Sequence, residues 1–320
     1  FGLTAQISST FVFMFIIFGS FLLRSGAGDF IVRLAQCLAG RYTGGAGLVA
    51  VVGSGLMGSV SGSAVANTVS TGVITIPMMK QSGFPSKFSA GVVAAASTGG
   101  ALMPPVMGAG AFVLASYTQI PYLTIIAASI LPAILYFLTV CYFVRIEAKR
   151  LGLTLTPAED TEKVSTVLKE GWHFIIPLVV LVSFLVMGKT PTTSAAFAII
   201  SVIAASWLSS TPMRLPDIFD ATVEGVRTMV STALLLVAVG IIINVVTTTG
   251  VGNAFSLMIV EWAQGRLLIT LVLVALASLV LGMGLPVTAS YIVLATLSAP
   301  LIFDLISQSQ LLIALQAGDL

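Results

Sequence analysis

Charged residues are grouped at a few points along the chain and leave long apolar stretches between the groups. The charge-free stretches are 1–23, 42–79, 88–144, 190–213, 228–260 and 267–303. A membrane-spanning helix needs about 20 consecutive, mainly apolar residues. The pattern therefore predicts an all-α integral membrane protein. Two of the stretches, 42–79 and 267–303, are each long enough for nearly two helices.

These two stretches are each interrupted by a cluster of small and polar residues. The first cluster is 58–68 (GSVSGSAVANT) and the second is 281–290 (LGMGLPVTAS). Irregular backbone at membrane depth is tolerated where it is buried in protein or lines a wet cavity. Lys and Arg flank the first stretch on both sides, which places both of its ends on the cytoplasmic side. We therefore expect two re-entrant helical hairpins, at 42–80 and 266–304.

A third interruption lies at 97–108 and contains Pro104 and Pro105. Adjacent prolines do not fit an intact helix, because each removes a backbone donor and clashes with the preceding turn. This pattern predicts a broken helix at 88–116, followed by an uninterrupted span at 121–144.

The two halves of the chain repeat the same features in the same order. Gly28, Arg41 and Pro77 in the first half correspond to Gly252, Arg266 and Pro300 in the second, at nearly one separation. Each half reads as a span, a short interfacial arm helix (27–40 and 253–264) and a hairpin. An odd number of expected spans separates the halves, so the repeat is inverted. Inverted repeats with discontinuous helices are typical of secondary transporters.

A dense group of charged residues between Arg145 and Glu170 predicts an extramembrane linker. The predicted organisation has a first inverted repeat at 1–144 and a charged cytoplasmic linker at 145–171. Connecting spans and the second inverted repeat follow at 172–320.

Composition excludes several other classes of protein. Apolar residues make up 57% of the chain and charged residues 8%, which is far too few charges for a soluble surface. A net charge of +2 argues against a nucleic-acid binder that neutralises phosphates. Two cysteines and one histidine provide no disulfide framework and no zinc site. With no P-loop and no catalytic constellation, we expect neither an enzyme nor a bound cofactor.

The hairpin tips and the third interruption carry the candidate chemistry. Their hydroxyls and exposed carbonyls are oxygen ligands suited to a small cation, and half-helix N-termini favour an anion. The stretches 42–79, 88–144 and 267–303 contain no Asp or Glu. Proton-coupled carriers commonly use an intramembrane carboxylate or histidine. We therefore expect Na⁺ rather than H⁺ as the coupling ion.

Simpler interpretations of single residues stay open. A glycine or serine in a membrane helix most often serves close packing, as in the spacing of Gly58 and Gly62. Asn67 is a polar amide in an apolar run, and it is either a ligand or an interhelical hydrogen-bonding residue.

Three motifs resemble the large membrane subunit of TRAP transporters. They are 58–77 (GSVSGSAVANTVSTGVITIP), 97–105 (STGGALMPP) and 282–300 (GMGLPVTASYIVLATLSAP). The resemblance is closest to the fused-permease, TAXI-associated branch. It implies an elevator-type, Na⁺-coupled importer of organic anions in the bacterial or archaeal inner membrane. It also implies a periplasmic substrate-binding protein and a small membrane subunit fused at the N-terminus.

The resemblance also implies which residues bind the ion and the substrate. These residues are Ser61, Gly62, Ser63, Asn67, Thr98, Gly99, Gly100, Gly282, Gly284 and Thr288. Within this set, Na⁺ is expected at Ser61, Gly62, Gly284 and Thr288. Pro104, Pro105 and Pro286 would break the helices that present them.

The family carries a second proline-broken helix after the second hairpin, and this chain ends at Leu320 before such a segment. We therefore expect a truncated fragment whose second repeat is incomplete. Two alternative functions remain at this stage. One is a dicarboxylate or citrate Na⁺ carrier that needs no binding protein, and the other is a scaffold fragment that transports nothing.

Overall fold

The computed structural model describes residues 2–153, 163–208, 212–264 and 266–283, and short helical pieces at 290, 293–295, 297–298, 302–303 and 305–307. The helices are α1 (Gly2–Ile7), α2 (Phe13–Leu22), α3 (Gly28–Ala39), α4 (Gly45–Ser61), α5 (Ala64–Gln81), α6 (Ser86–Gly100), α7 (Ala109–Thr118), α8 (Tyr122–Arg150), α9 (Val164–Gly171), α10 (Ile175–Val186), α11 (Pro191–Ser206), α12 (Leu215–Thr249), α13 (Val251–Ala263) and α14 (Leu267–Gly282). The described part of the chain contains no β-strand. The prediction of an all-α fold is confirmed.

Four of the described helical stretches are long and apolar enough to cross a membrane. They are Ala5–Ala39, Tyr122–Arg150, Val164–Val186 and Leu215–Val246. Three further apolar helices are shorter. Two of these are α4 and α14, which are the first helices of the two expected hairpins. The long apolar helices confirm the prediction of a multi-pass membrane protein.

The first long stretch bends where the sequence has two glycines. Gly26 has a φ of 100°, which glycine adopts without steric cost, and the chain changes direction there into α3. Several residues of α3 are buried, including Phe30, Val32 and Ala35. The segment expected to be an arm helix is thus a separate amphipathic helix at 28–39.

The helices α4 and α5 are joined by only two residues, Gly62 and Ser63, and pack against each other and against α6. Their core is built mainly from small and β-branched residues, such as Ala50, Val51 and Val93, all fully buried. Small side chains let the three helices approach closely. The turn is thereby held next to the end of α6.

The charged segment at 145–171 is partly helical. The helix α8 continues to Arg150, and α9 begins at Val164, so both ends of the predicted linker belong to helices. Arg, Lys and Glu are good helix formers, which explains why α8 runs on beyond its apolar part. Residues 154–162 lie outside the described part of the chain.

The chain divides into two compact units, 7–231 and 1–6 with 232–320. The first unit contains α2–α11 and the start of α12. Within the second unit, α13 packs against α14, with Ile259 and Val274 buried between them. The inverted relationship of the two repeats and the predicted domain boundaries stay predictions.

Candidate functional site

The turn between α4 and α5 is shaped by its own backbone and hydroxyl groups. Gly62 has a φ of 61°, and its N–H donates to the carbonyl of Gly58 over 3.0 Å. The Ser63 hydroxyl caps α5 by accepting from the Ala66 N–H at 3.3 Å. The Ser63 N–H lies 3.5 Å from the Ser61 hydroxyl oxygen. Sequence-predicted Ser61, Gly62 and Ser63 therefore all lie in one tight turn.

This turn rests directly on the irregular segment 101–108, which separates α6 from α7. The Val106 N–H donates to the Ser59 carbonyl at 3.1 Å, across the two segments. A methyl group added at Gly62 would collide with the carbonyl of Met107. One added at Gly108 would lie 3.2 Å from the Gly62 carbonyl oxygen. Backbone carbonyls from both segments therefore meet at one junction.

Asn67 is completely buried about one turn into α5. Its side-chain N–H donates to the Ser54 carbonyl in α4 over 2.8 Å. Its other amide atom, Oδ1, is buried and accepts no hydrogen bond within the described residues. The interhelical hydrogen bond left open by the sequence is therefore present, and it uses only half of the amide.

A small polar network surrounds this amide. The Thr71 hydroxyl donates to the Asn67 carbonyl at 2.7 Å, so the Ser54 hydroxyl, 3.1 Å away, donates to Thr71. In α6, the Ser97 hydroxyl is also buried and has no hydrogen-bond partner among the described residues. The sequence analysis missed Ser54, Thr71 and Ser97. For Thr71 the signal was its i, i+4 spacing from Asn67, which puts both residues on one face of α5.

The three consecutive residues predicted at the end of α6 point in different directions. Thr98 is exposed and its hydroxyl donates to Ala94 in its own helix at 2.8 Å. Gly99 faces the ring of Tyr136, which a methyl group at Gly99 would strike. Gly100 faces Asn67, whose amide nitrogen would lie 2.7 Å from such a methyl. Only Gly100 of the three adjoins the buried amide.

Pro104 and Pro105 lie in the segment between α6 and α7, where the sequence predicted the broken helix. The segment is fastened by Tyr122 at the start of α8. The Tyr122 hydroxyl lies 3.0 Å from the Pro105 carbonyl oxygen and 2.7 Å from that of Val106, and donates to them. The sequence analysis did not single out Tyr122, although a tyrosine directly after Pro121 at a span start was a usable signal.

The second predicted tip is described only at its start. The helix α14 ends at Gly282, where an added methyl group would meet nothing within 4 Å. Gly284, Pro286 and Thr288 lie outside the described residues. Their proposed roles stay predictions from the sequence.

The junction of turn and interruption is built from neutral groups. No Asp, Glu, Lys, Arg or His occurs between 45 and 79 or between 88 and 144. Among the described residues, no group of three or more His, Cys, Asp or Glu side chains could hold a metal ion. Any cation there would be held by carbonyl, amide and hydroxyl oxygens.

Comparison with known proteins identifies the family. Residues 3–309 match the model of the tripartite ATP-independent periplasmic transporter family, DctM component. The C4-dicarboxylate TRAP transporter large permease protein of Pseudomonas aeruginosa is 25% identical over 292 residues, covering 91% of this chain and 68% of that protein. The 2,3-diketo-L-gulonate TRAP transporter large permease protein of Escherichia coli is 24% identical, covering 90% and 67%. The sialic acid TRAP transporter large permease protein of Vibrio cholerae is 25% identical, covering 70% and 52%.

The match extends over both hairpin regions and the linker between them, so the family assignment concerns nearly the whole chain. A tripartite transporter of this kind combines the large permease with a periplasmic binding protein and a small membrane subunit. Together with the four long apolar helices, this makes the protein a transport component of the inner membrane. The chain therefore belongs to the DctM family, the large permease component of tripartite ATP-independent periplasmic transporters.

Proposed function

We propose that the chain is the membrane subunit of a Na⁺-coupled importer of organic anions, which receives its substrate from a periplasmic binding protein. The relatives are named for C4-dicarboxylate, 2,3-diketo-L-gulonate and sialic acid. These compounds differ in size but share at least one carboxylate. A small carboxylate is therefore the substrate class that we propose for this chain.

The observation that carries the ion site is the buried Oδ1 of Asn67, which accepts no hydrogen bond among the described residues. A buried acceptor without a partner costs about 1–3 kcal/mol. A Na⁺ ion, directly or through one water, would remove that cost. The turn at the start of α5 would supply the carbonyl of Gly62 and the hydroxyl of Ser61 as further oxygen ligands.

The absence of carboxylates near this junction supports Na⁺ over other cations. Divalent ions are held in proteins mainly by Asp and Glu, and proton carriers need a titratable group. Between 45 and 79 and between 88 and 118, the helices α4–α7 carry no Asp, Glu, His, Lys or Arg. Neutral oxygens can still compensate a single positive charge, which is what Na⁺ carries.

Two helix N-termini support a carboxylate next to this ion. The helix α5 starts after Ser63, and α7 starts after Gly108. The contact of Gly62 with Met107 and Gly108 brings both starts to the same junction. Free N–H groups and the positive end of each helix dipole stabilise a negative charge there. The anion and the cation would then stabilise each other.

The remaining parts of the proposal concern movement and symmetry. Gly284 and Thr288 would form a second ion site, related to Ser61 and Gly62 by the inverted repeat. The hairpin would move with its substrate in an elevator motion, with α3 as an arm beside it. The small membrane subunit would be fused to the N-terminus of the full protein.

Thermal stability in Na⁺ tests the ion site. The purified, detergent-solubilised chain is unfolded in NaCl and in KCl at equal ionic strength. A ligand at a hundredfold excess over its Kd stabilises the folded state by about 2.7 kcal/mol. We expect a Na⁺-specific rise in Tm that Asn67→Ala abolishes. Thr139→Val is the control, because Thr139 is exposed on α8 and bonds only its own helix. Equal Tm values in the two salts would contradict the ion site.

Uptake tests the transport function separately. The chain is reconstituted in liposomes with the small subunit and the binding protein, and a labelled dicarboxylate is supplied outside. Uptake should depend on an inward Na⁺ gradient and disappear when choline replaces Na⁺. Uptake that proceeds without the binding protein would instead favour a carrier of the simpler dicarboxylate or citrate type.

A further inference from the structure

A pocket lies away from the hairpin, between the start of α3 and the junction of α9 with α10. Its volume is about 480 Å³. The first two turns of α3 form one wall, and residues 169–174 form the other. No residue predicted to bind the ion or the transported anion lines it. Its chemistry therefore calls for a separate explanation.

The pocket lies where two helical stretches change from apolar to charged. Residues 11–22 are apolar and are followed by Arg24 and Asp29. Residues 175–186 are apolar and are preceded by Lys169 and Glu170. In a membrane protein, such a change marks the boundary between hydrocarbon and headgroups. The pocket is thus located at the depth of lipid headgroups.

The charged residues of the pocket leave one group of each sign available. Arg33 and Glu170 form an ion pair at 2.8 Å and so balance each other. Asp29 and Lys169 also line the pocket, and neither forms an ion pair within the described residues. The pocket therefore presents an anionic and a cationic site and no net charge. That arrangement matches a zwitterion better than a simple anion.

His173 forms part of the inner wall of this pocket. The residue is only 5% exposed, and its Nε2 is buried without a hydrogen-bond partner in the described part of the chain. Because that nitrogen has almost no accessible surface, it is not open to a ligand. The groups that can bind a ligand are therefore the exposed charges of Asp29 and Lys169.

Aromatic side chains form the apolar part of the pocket. Phe30 packs against Phe174 with ring centres 5.5 Å apart, and Trp172 is half exposed at the rim. Ile175, one residue beyond the pocket lining, is also exposed. Tryptophan is enriched at membrane interfaces because its ring is amphipathic. An acyl chain can leave the pocket along this apolar side.

We propose that this pocket binds the phosphoethanolamine headgroup of a membrane phospholipid. Asp29 accepts hydrogen bonds from the ammonium, and Lys169 binds the phosphate. The lipid lies between the arm helix α3 and the start of α10, and it stabilises the packing of these two helices against each other.

Native mass spectrometry of the whole chain tests the lipid directly. The delipidated protein is mixed with phosphatidylethanolamine, phosphatidylcholine or phosphatidylglycerol of identical acyl chains. We expect one retained phosphatidylethanolamine, bound about tenfold or more tightly than phosphatidylcholine, whose quaternary ammonium has no N–H donor. This comparison uses the unaltered protein, so it does not depend on the folding of any variant. Equal retention of the three lipids would overturn the proposal.

Variants locate the bound lipid. Asp29→Asn and Lys169→Ala should each reduce phosphatidylethanolamine retention about tenfold or more. Lys149→Ala is the matched control, because Lys149 is an exposed lysine at the end of α8 outside the pocket. Retention that falls equally in Lys149→Ala, or in neither pocket variant, would place the lipid elsewhere and contradict the assignment.

Soluble O-phosphoethanolamine separates a lipid site from a site for a free metabolite. The lipid proposal predicts that millimolar O-phosphoethanolamine displaces little of the bound phospholipid, since it lacks the acyl chains. Complete displacement at that concentration would show that the pocket takes a soluble zwitterion and would overturn the lipid assignment.

Discussion

Gly58 of α4 and Gly100 of α6 bring the main chains of these two helices into direct contact. A methyl group on Gly58 would collide with the backbone of Gly100, and one on Gly100 would lie 2.8 Å from the Gly58 Cα. The same contact places Gly100 beside the buried amide of Asn67. Close approach at this point therefore determines how tightly α6 covers the candidate ion site.

Gly58→Ala should destabilise the protein by about 1–3 kcal/mol, because the added methyl group meets backbone that cannot move aside cheaply. The measurement is thermal unfolding of the purified variant in detergent. Gly91→Ala is the control on α6, since a methyl group there meets nothing within 4 Å. That control should be neutral or stabilise by up to about 1 kcal/mol. Similar Tm values for both variants would show that the helices do not touch at Gly58.

Gly62→Ala should destabilise by more than about 2 kcal/mol, since it combines a left-handed backbone with a collision at the Met107 carbonyl. Gly188 provides a control for the backbone part alone. It has a φ of 76°, and a methyl group there meets nothing within 4 Å. Gly188→Ala should therefore cost only about 1 kcal/mol. Equal losses of unfolding free energy in the two variants would contradict the contact between the turn and segment 101–108.

Glycine and proline act locally on the backbone, so the sequence indicated where the helices of this region stop. Gly62 and Ser63 end α4 and begin α5 inside the predicted hairpin. Pro104 and Pro105 fall in the gap between α6 and α7. Such residues restrict φ or remove a donor whatever the surrounding structure. The positions of these two helix breaks could therefore be predicted from the sequence alone.

The sequence did not show which way each helical residue points. Thr98, Gly99 and Gly100 are consecutive, and successive helical residues are rotated by about 100°. In a soluble helix, alternating polar and apolar faces would have separated them. In a membrane helix, the lipid-facing and buried sides are both apolar, so this signal is lost. The role of Tyr122 could not be predicted either. Its hydroxyl bonds backbone carbonyls, and because every residue has one, the sequence does not indicate which carbonyls are its partners.

Tyr122→Phe should destabilise the protein by about 1–3 kcal/mol, because it leaves the carbonyls of Pro105 and Val106 without their buried donor. The phenylalanine ring keeps the stacking on Phe112, whose centre is 4.5 Å away, so the loss reports the hydroxyl. Tyr142→Phe on the same helix is the control, because Tyr142 is 65% exposed. An unchanged Tm in Tyr122→Phe would mean that the hydroxyl does not fasten segment 101–108.

Gly99 and Tyr136 should be energetically coupled, because a methyl group at Gly99 would strike the Tyr136 ring. Gly99→Ala should destabilise by about 1–3 kcal/mol alone. In a Tyr136→Leu background the ring is gone, and the same substitution should then cost at least about 1 kcal/mol less. Tyr136→Leu also loses the hydrogen bond from the hydroxyl to the Ala95 carbonyl at 2.8 Å, a cost that cancels in the cycle. Gly91→Ala, measured in both backgrounds, should show no coupling. A Gly99→Ala cost that is identical with and without the ring would contradict the packing of α8 against the end of α6.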